Sequence, residues 1–227
     1  MAGASPLNIE SVLRSAVKTE RGVWKDIPLP LAAWTLNTGV VLAAVGAGIV
    51  GNATAVAAAP SNLACIQWDD TADASDIIRT SIVLPPDFRA QISAKAPNLI
   101  LYVRARVLDG TGSATANTDL ALQAQCFWHK TGDTALSTLA AVVANTIGAT
   151  DYVAADEEGF VLYKFDLTAA MSAAQLALLG PLDTFQIQLF PQEAVGTNLY
   201  IEMIGSFLVY EGHASIPASV LSTLSLT

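Results

Sequence analysis

The stretch Asn98-Leu99-Ile100-Leu101-Tyr102-Val103-Arg104-Ala105-Arg106-Val107-Leu108 decides the fold. Leu99, Leu101, Val103, Ala105 and Val107 recur at every second position, with Tyr102, Arg104 and Arg106 between them. A period of two is the side-chain repeat of a β-strand, whereas a helix needs apolar residues three and four apart. One apolar and one polar face further specify an antiparallel sheet on a single core, because parallel strands are covered on both sides.

The pattern repeats outward from there. Leu120, Leu122, Ala124, Cys126 and Trp128 alternate with Gln123, Gln125 and His129. Phe185, Ile187 and Leu189 alternate with Thr184, Gln186 and Gln188, and Leu199, Ile201, Met203, Phe207 and Val209 are expected to share a face near the end. Ile77 to Leu84 and Phe160 to Leu167 read as two more strands. Asp109-Gly110-Thr111-Gly112, Thr131-Gly132-Asp133 and Glu158-Gly159 are turn signals between them. One helix is expected in the body, over Ala173 to Leu179, capped by Ser172 and stopped by Gly180 and Pro181. The fold class is therefore all-β, an antiparallel two-sheet β-sandwich of jelly-roll type with an extended N-terminal arm and one short helix.

The arm occupies residues 1–35, the sandwich body 36–212 and a C-terminal tail 213–227. Asn8 is placed to cap a helix in which Ile9, Val12, Leu13, Ala16 and Val17 form one apolar face. Pro28 and Pro30 then impose an extended passage. Such a short helix is marginal alone and must dock on its own body or on a neighbour.

Composition narrows the functional classes. The 227 residues hold 11 basic and 20 acidic side chains, a net charge of −9, and only 14% are charged while 52% are hydrophobic. That balance is the opposite of a disordered chain. It also repels phosphate, so a general nucleic-acid partner is not expected. The arm is near neutral, with Arg14, Lys18, Arg21 and Lys25 against Glu10, Glu20 and Asp26, so the acidic excess lies in the body. Met1-Ala-Gly-Ala-Ser-Pro carries no signal-peptide pattern, and the apolar stretch from Gly39 to Gly51 is shorter than the ~20 residues of a membrane helix. A soluble protein made in a cytoplasm is expected, with no membrane partner. So low a charge content points to a surface that meets other protein.

Several motifs invite sharper readings. Gly46-Ala47-Gly48-Ile49-Val50-Gly51 follows an apolar run, and Asp69 and Asp70 come about 20 residues later, the spacing of a dinucleotide site. That motif needs a parallel sheet with strand–helix units, and the alternating strands downstream argue for a Gly/Ala-rich strand and loop instead. The run from Asp69 to Asp76 lacks the glycine and terminal glutamate of a calcium-binding EF-hand and reads as a solvated loop. His129 and His213 assemble with no nucleophile and no orienting group, so no catalytic residue is assigned and no enzyme is expected. No cofactor or metal site is assigned either. Cys65 and Cys126 are too few and too far apart for a disulfide framework and read as buried thiols.

The run Ile66-Gln67-Trp68-Asp69-Asp70, continued by Asp76-Ile77-Ile78-Arg79-Thr80-Ser81-Ile82-Val83-Leu84-Pro85-Pro86-Asp87-Phe88, resembles a pattern in small virion proteins of tailed bacteriophages. In those proteins an acidic loop, a strand and a Leu-Pro-Pro-Asp turn lead into a long strand. The passage from Pro28 to Trp34 and the ending Tyr210-Glu211-Gly212 are similar too, so the resemblance spans residues 28–212. It implies a jelly-roll decoration (cement) protein on the capsid exterior, clamping major capsid proteins, commonly as a homotrimer. On that reading the arm lies along capsid subunits through Ile9, Val12, Leu13, Val17, Trp24, Pro28, Pro30 and Trp34. A head or tail fibre component, or a lectin-like carbohydrate-binding module, is the alternative expectation, and a dinucleotide-dependent oxidoreductase is a remote one.

Overall fold

The computed structural model describes residues 23–42, 54–57, 64–69, 72, 74–89, 98–109, 121–130, 137–138, 143–146, 160–169, 171–192 and 199–213. Twelve strands are described: β1 (Val23–Leu29), β2 (Thr35–Leu36), β3 (Thr54–Ala57), β4 (Ala64–Trp68), β5 (Ile78–Val83), β6 (Leu99–Asp109), β7 (Ala121–His129), β8 (Ser137–Thr138), β9 (Val143–Thr146), β10 (Val161–Asp166), β11 (Thr184–Pro191) and β12 (Leu199–Gly212). A 3-10 turn over Leu31–Ala33 joins β1 to β2, and one helix, α1 (Ala173–Leu178), precedes β11.

The strands form two antiparallel sheets. Sheet A runs β10-β6-β12-β4-β3, with β1 also on β12; sheet B runs β2-β5-β11-β7-β8, with β9 also on β7. The apolar sides face each other: Leu99, Leu101, Val103 and Ala105 of β6 meet a core shared with Leu122, Ala124 and Cys126 of β7 and Phe185, Ile187 and Leu189 of β11. Full burial of each large apolar side chain contributes about 1.5–3 kcal/mol. The expected two-sheet β-sandwich of jelly-roll type with one short helix is the observed one. The helix is capped as its sequence implies, with Gln175 N donating to Ser172 Oγ and Ser172 N donating to Gln175 Oε1.

Two expectations change. Residues 23–35 do not form an arm apart from the body. Val23–Leu29 pairs along its whole length with Gly212–Ser206 of β12, and Thr35–Leu36 pairs with β5, so this segment contributes to both sheets. Pro28 and Pro30 are compatible with that, because β1 sits at an edge among the described residues and needs no donor on its outer side. Trp34 is a core residue, 1% exposed, whose indole Nε1 donates to Ser206 Oγ at 3.0 Å. Ser206 Oγ in turn donates to Leu29 O at 3.0 Å.

The second change lies in β12. Ile201 and Met203 point into the core as expected, but Phe207 and Val209 are only half-buried, and Leu208 and Tyr210 are the inward residues. The cause is a register shift against β6 between Met203 and Gly205. One extra residue in a strand reverses which side chains face inward beyond it.

Ile9, Val12, Leu13, Val17 and the glycines from Gly46 to Gly51 lie outside the described residues. Every strand pairing among the described residues is antiparallel, which is not the setting a dinucleotide motif requires. Cys65 and Cys126 are buried thiols in different sheets, and burial raises the Cys126 pKa well above its ordinary range. No described helix is long and apolar enough to cross a membrane.

Candidate interaction site at the sandwich corner

Two sequence motifs far apart in the chain meet at one corner of sheet A. The turn Leu84-Pro85-Pro86-Asp87-Phe88 closes through Phe88 N donating to Pro85 O at 2.9 Å, and its Phe88 bridges to Gly212. Asp87 then lies against the end of β12: Tyr210 OH donates to Asp87 Oδ1 at 3.1 Å, and His213 N donates to Asp87 O at 2.7 Å. Lys25 of β1 completes this group, its Nζ ion-paired with Asp87 Oδ2 and donating to His213 O at 3.3 Å.

A second set of contacts holds the same corner. Arg89 is ion-paired with Glu211 Oε1, while Asn98 Nδ2 donates to Glu211 Oε2 at 2.9 Å. Both side chains of that pair are about nine-tenths buried, at 10% and 8% exposed. The backbone follows, with Arg89 N donating to Glu211 O at 3.0 Å. Gly212 is needed for the fit, since a Cβ there would sit 2.8 Å from Asp87 Oδ2 and 3.3 Å from Asp87 O.

Burial, and after it the charge and hydrogen bond of Asp87, push the Tyr210 phenol up to about 12 from its ordinary 10.0. Tyr210 is thus a fixed donor to Asp87, and the corner acts chemically as a clasp: it ties the first described strand, the 84–88 turn and the last strand together. Beside it two apolar side chains are exposed, Val23 at 42% and Trp24 at 56%.

A third polar group lies on the outward side of sheet A. Arg106 Nε donates to Glu202 Oε2 at 2.8 Å, Gln67 Nε2 donates to Glu202 Oε1 at 3.1 Å, and the Phe160 ring covers Arg106 Cζ at 4.3 Å. Arg106 lies on the polar face of its strand, as expected, yet is only 3% exposed. The carboxylate and the ring take the place of water there.

Of the residues expected to bind a capsid, Trp24, Pro28, Pro30 and Trp34 are among the described residues. Trp24, Pro28 and Pro30 are exposed on or next to β1, whereas Trp34 is buried in the core. Lys25, Asp87, Arg89 and Glu211 were not foreseen as a group; the two quoted motifs held Asp87 and Glu211, but their proximity follows from strand pairing. In the acidic run, Trp68 Nε1 donates to Asp76 O at 2.8 Å and Ala72 N to Asp69 O at 3.0 Å, which pins a loop. Among the described residues no group of His, Cys, Asp and Glu is placed to hold a metal.

No family model and no curated protein matches the chain. Among solved structures it is similar to a xylan-binding module, CBM15, at 9% identity and a TM-score of 0.43, covering 84% of this chain and 99% of that one. It is also similar to a non-crystalline cellulose specific carbohydrate-binding module, CBM28, at 9% identity and 0.37, covering 79% and 88%. A third likeness is to a chain of infectious bursal disease virus, at 12% identity and 0.33, covering 87% of this chain but 33% of that one. At such scores the likeness says nothing of function, and the sandwich stands on its own strand pairings.

Proposed function

We propose that the protein is a structural virion protein of a tailed bacteriophage. It decorates the capsid exterior, as a homotrimer, and stabilises contacts between major capsid proteins. The observation that carries this reading is the pairing of Val23 with Gly212, which joins the first and last described strands at one clasped corner. Trp24 is exposed beside that corner. An exposed aromatic side chain on a clasped edge strand is a way to hold a neighbouring protein. The charge content of 14% and the likeness of the 84–88 and 210–212 motifs to virion proteins support the same reading.

Capsids stripped of this protein provide the test. The purified chain should rebind them at high copy number, and Trp24→Ala should weaken rebinding by about tenfold, the loss expected for a central aromatic contact. Failure of the native chain to rebind, together with its absence from purified virions, overturns the proposal. Light scattering of the free protein checks the trimer.

A further inference from the structure

The outward face of sheet B has a chemistry unlike the rest of the chain. Strand register places Ser81, Gln186 and Phe127 in one row across β5, β11 and β7, and Arg79, Gln188 and Gln125 in the next. Gln123 follows on β7, paired with Phe190. In a protein of net charge −9, no Asp or Glu occupies any outward position of these three strands.

Some of these amides are engaged with each other's neighbours. Gln186 Nε2 donates to Ser81 Oγ at 3.2 Å, and Gln188 Nε2 donates to Asn37 Oδ1 at 3.0 Å. Gln123 and Gln125 are half-buried.

We propose that this face binds a neutral oligosaccharide. The half-buried Gln123, Gln125 and Gln186 offer amide donors and acceptors, as sugar hydroxyls do, so the two match without a charge on either side, while Gln188 is itself buried, at 8% exposed. Phe127 supplies an apolar ring, half-buried between the amides, for the C–H faces of a pyranose. Charge excludes the other occupants: Arg79 alone is too little cation for phosphates, and a basic protein would be drawn to acidic surface elsewhere. The proposal is independent of capsid attachment, which involves the corner of sheet A, and it gives the lectin-like reading of the sequence a location.

Calorimetric titration of the full chain with cellohexaose, xylohexaose and maltohexaose, and with polygalacturonate as an acidic control, tests it. At least one neutral hexasaccharide should bind. Phe127→Ala and Gln125→Ala should each raise its Kd about tenfold, while Leu162→Ala on sheet A leaves it unchanged. If Phe127→Ala fails to fold by circular dichroism, Gln186→Ala takes its place, since that side chain stands on the surface. No binding of any neutral sugar at about 1 mM, binding of polygalacturonate alone, or a Kd moved only by Leu162→Ala overturns the proposal.

Discussion

The two halves of β12 run along the same partner, β6, yet they solve different problems. Up to Met203 the strand sends Ile201 and Met203 inward and has β4 on its other side. From Gly205 onward Leu208 and Tyr210 point inward, and β1 replaces β4 on that side. The register shift between Met203 and Gly205 separates the halves. A single inserted residue thus changes which side chains reach the core, and the change coincides with a change of neighbouring strand. Each half also carries one buried ion pair, Glu202 with Arg106 before the shift and Glu211 with Arg89 after it.

Breaking the first half should cost most. Glu202→Ala removes the carboxylate that faces the buried Arg106 and should destabilise the fold by about 3–5 kcal/mol in urea titration. The double change Arg106→Met with Glu202→Leu should recover most of that loss, because an apolar pair needs no desolvation of charge. In the second half, Leu208→Ala should cost about 3 kcal/mol as a core cavity. Val209→Ala, by contrast, should cost about 1 kcal/mol or less. The reverse order for these two would mean that the strand keeps its alternation and that the shift is absent.

The corner gives smaller, sharper tests. Gly212→Ala should lose about 1–3 kcal/mol by pressing a methyl group on Asp87, with little change on a matching Gly205→Ala, where a Cβ meets open space. The last effect is alkaline. Tyr210 titrates at about 12 in the fold, above its ordinary 10.0, so the folded state holds its proton more tightly than the unfolded chain. Its contribution is complete below about pH 10 and is lost as pH rises through about 12. Urea midpoints measured across that window should fall for the native protein and fall less for Tyr210→Phe.

Much of the sandwich was legible in the residues themselves. The inward sides of β6, β7 and β11 followed from period two, and α1 from Ser172, Gly180 and Pro181, because these signals are local: a strand's alternation and a helix's start and stop residues lie within a few residues. The outward amides of sheet B were equally legible as polar positions on single strands. What could not be read was their assembly into rows, since Gln186 meets Phe127 only through the register of β11 on β7. The segment from Val23 to Thr35 misled for a related reason. Its prolines and short apolar runs match an extended arm as well as they match an edge strand, and only the partner strand distinguishes the two.

By itself the sequence determined the class of the fold, the inward faces of its regular strands, the capped helix and the shortage of charge. Those properties are set by side-chain period and composition, which need no knowledge of distant residues. The tertiary structure decided the rest: the place of β1 beside β12, the reversal of faces after Met203, the burial of Arg106 under Phe160 with Glu202, and the meeting of Lys25, Asp87 and Tyr210 at one corner. Each depends on hydrogen-bonded register between strands far apart in the chain, and a register one residue different would carry every one of those side chains to the opposite face.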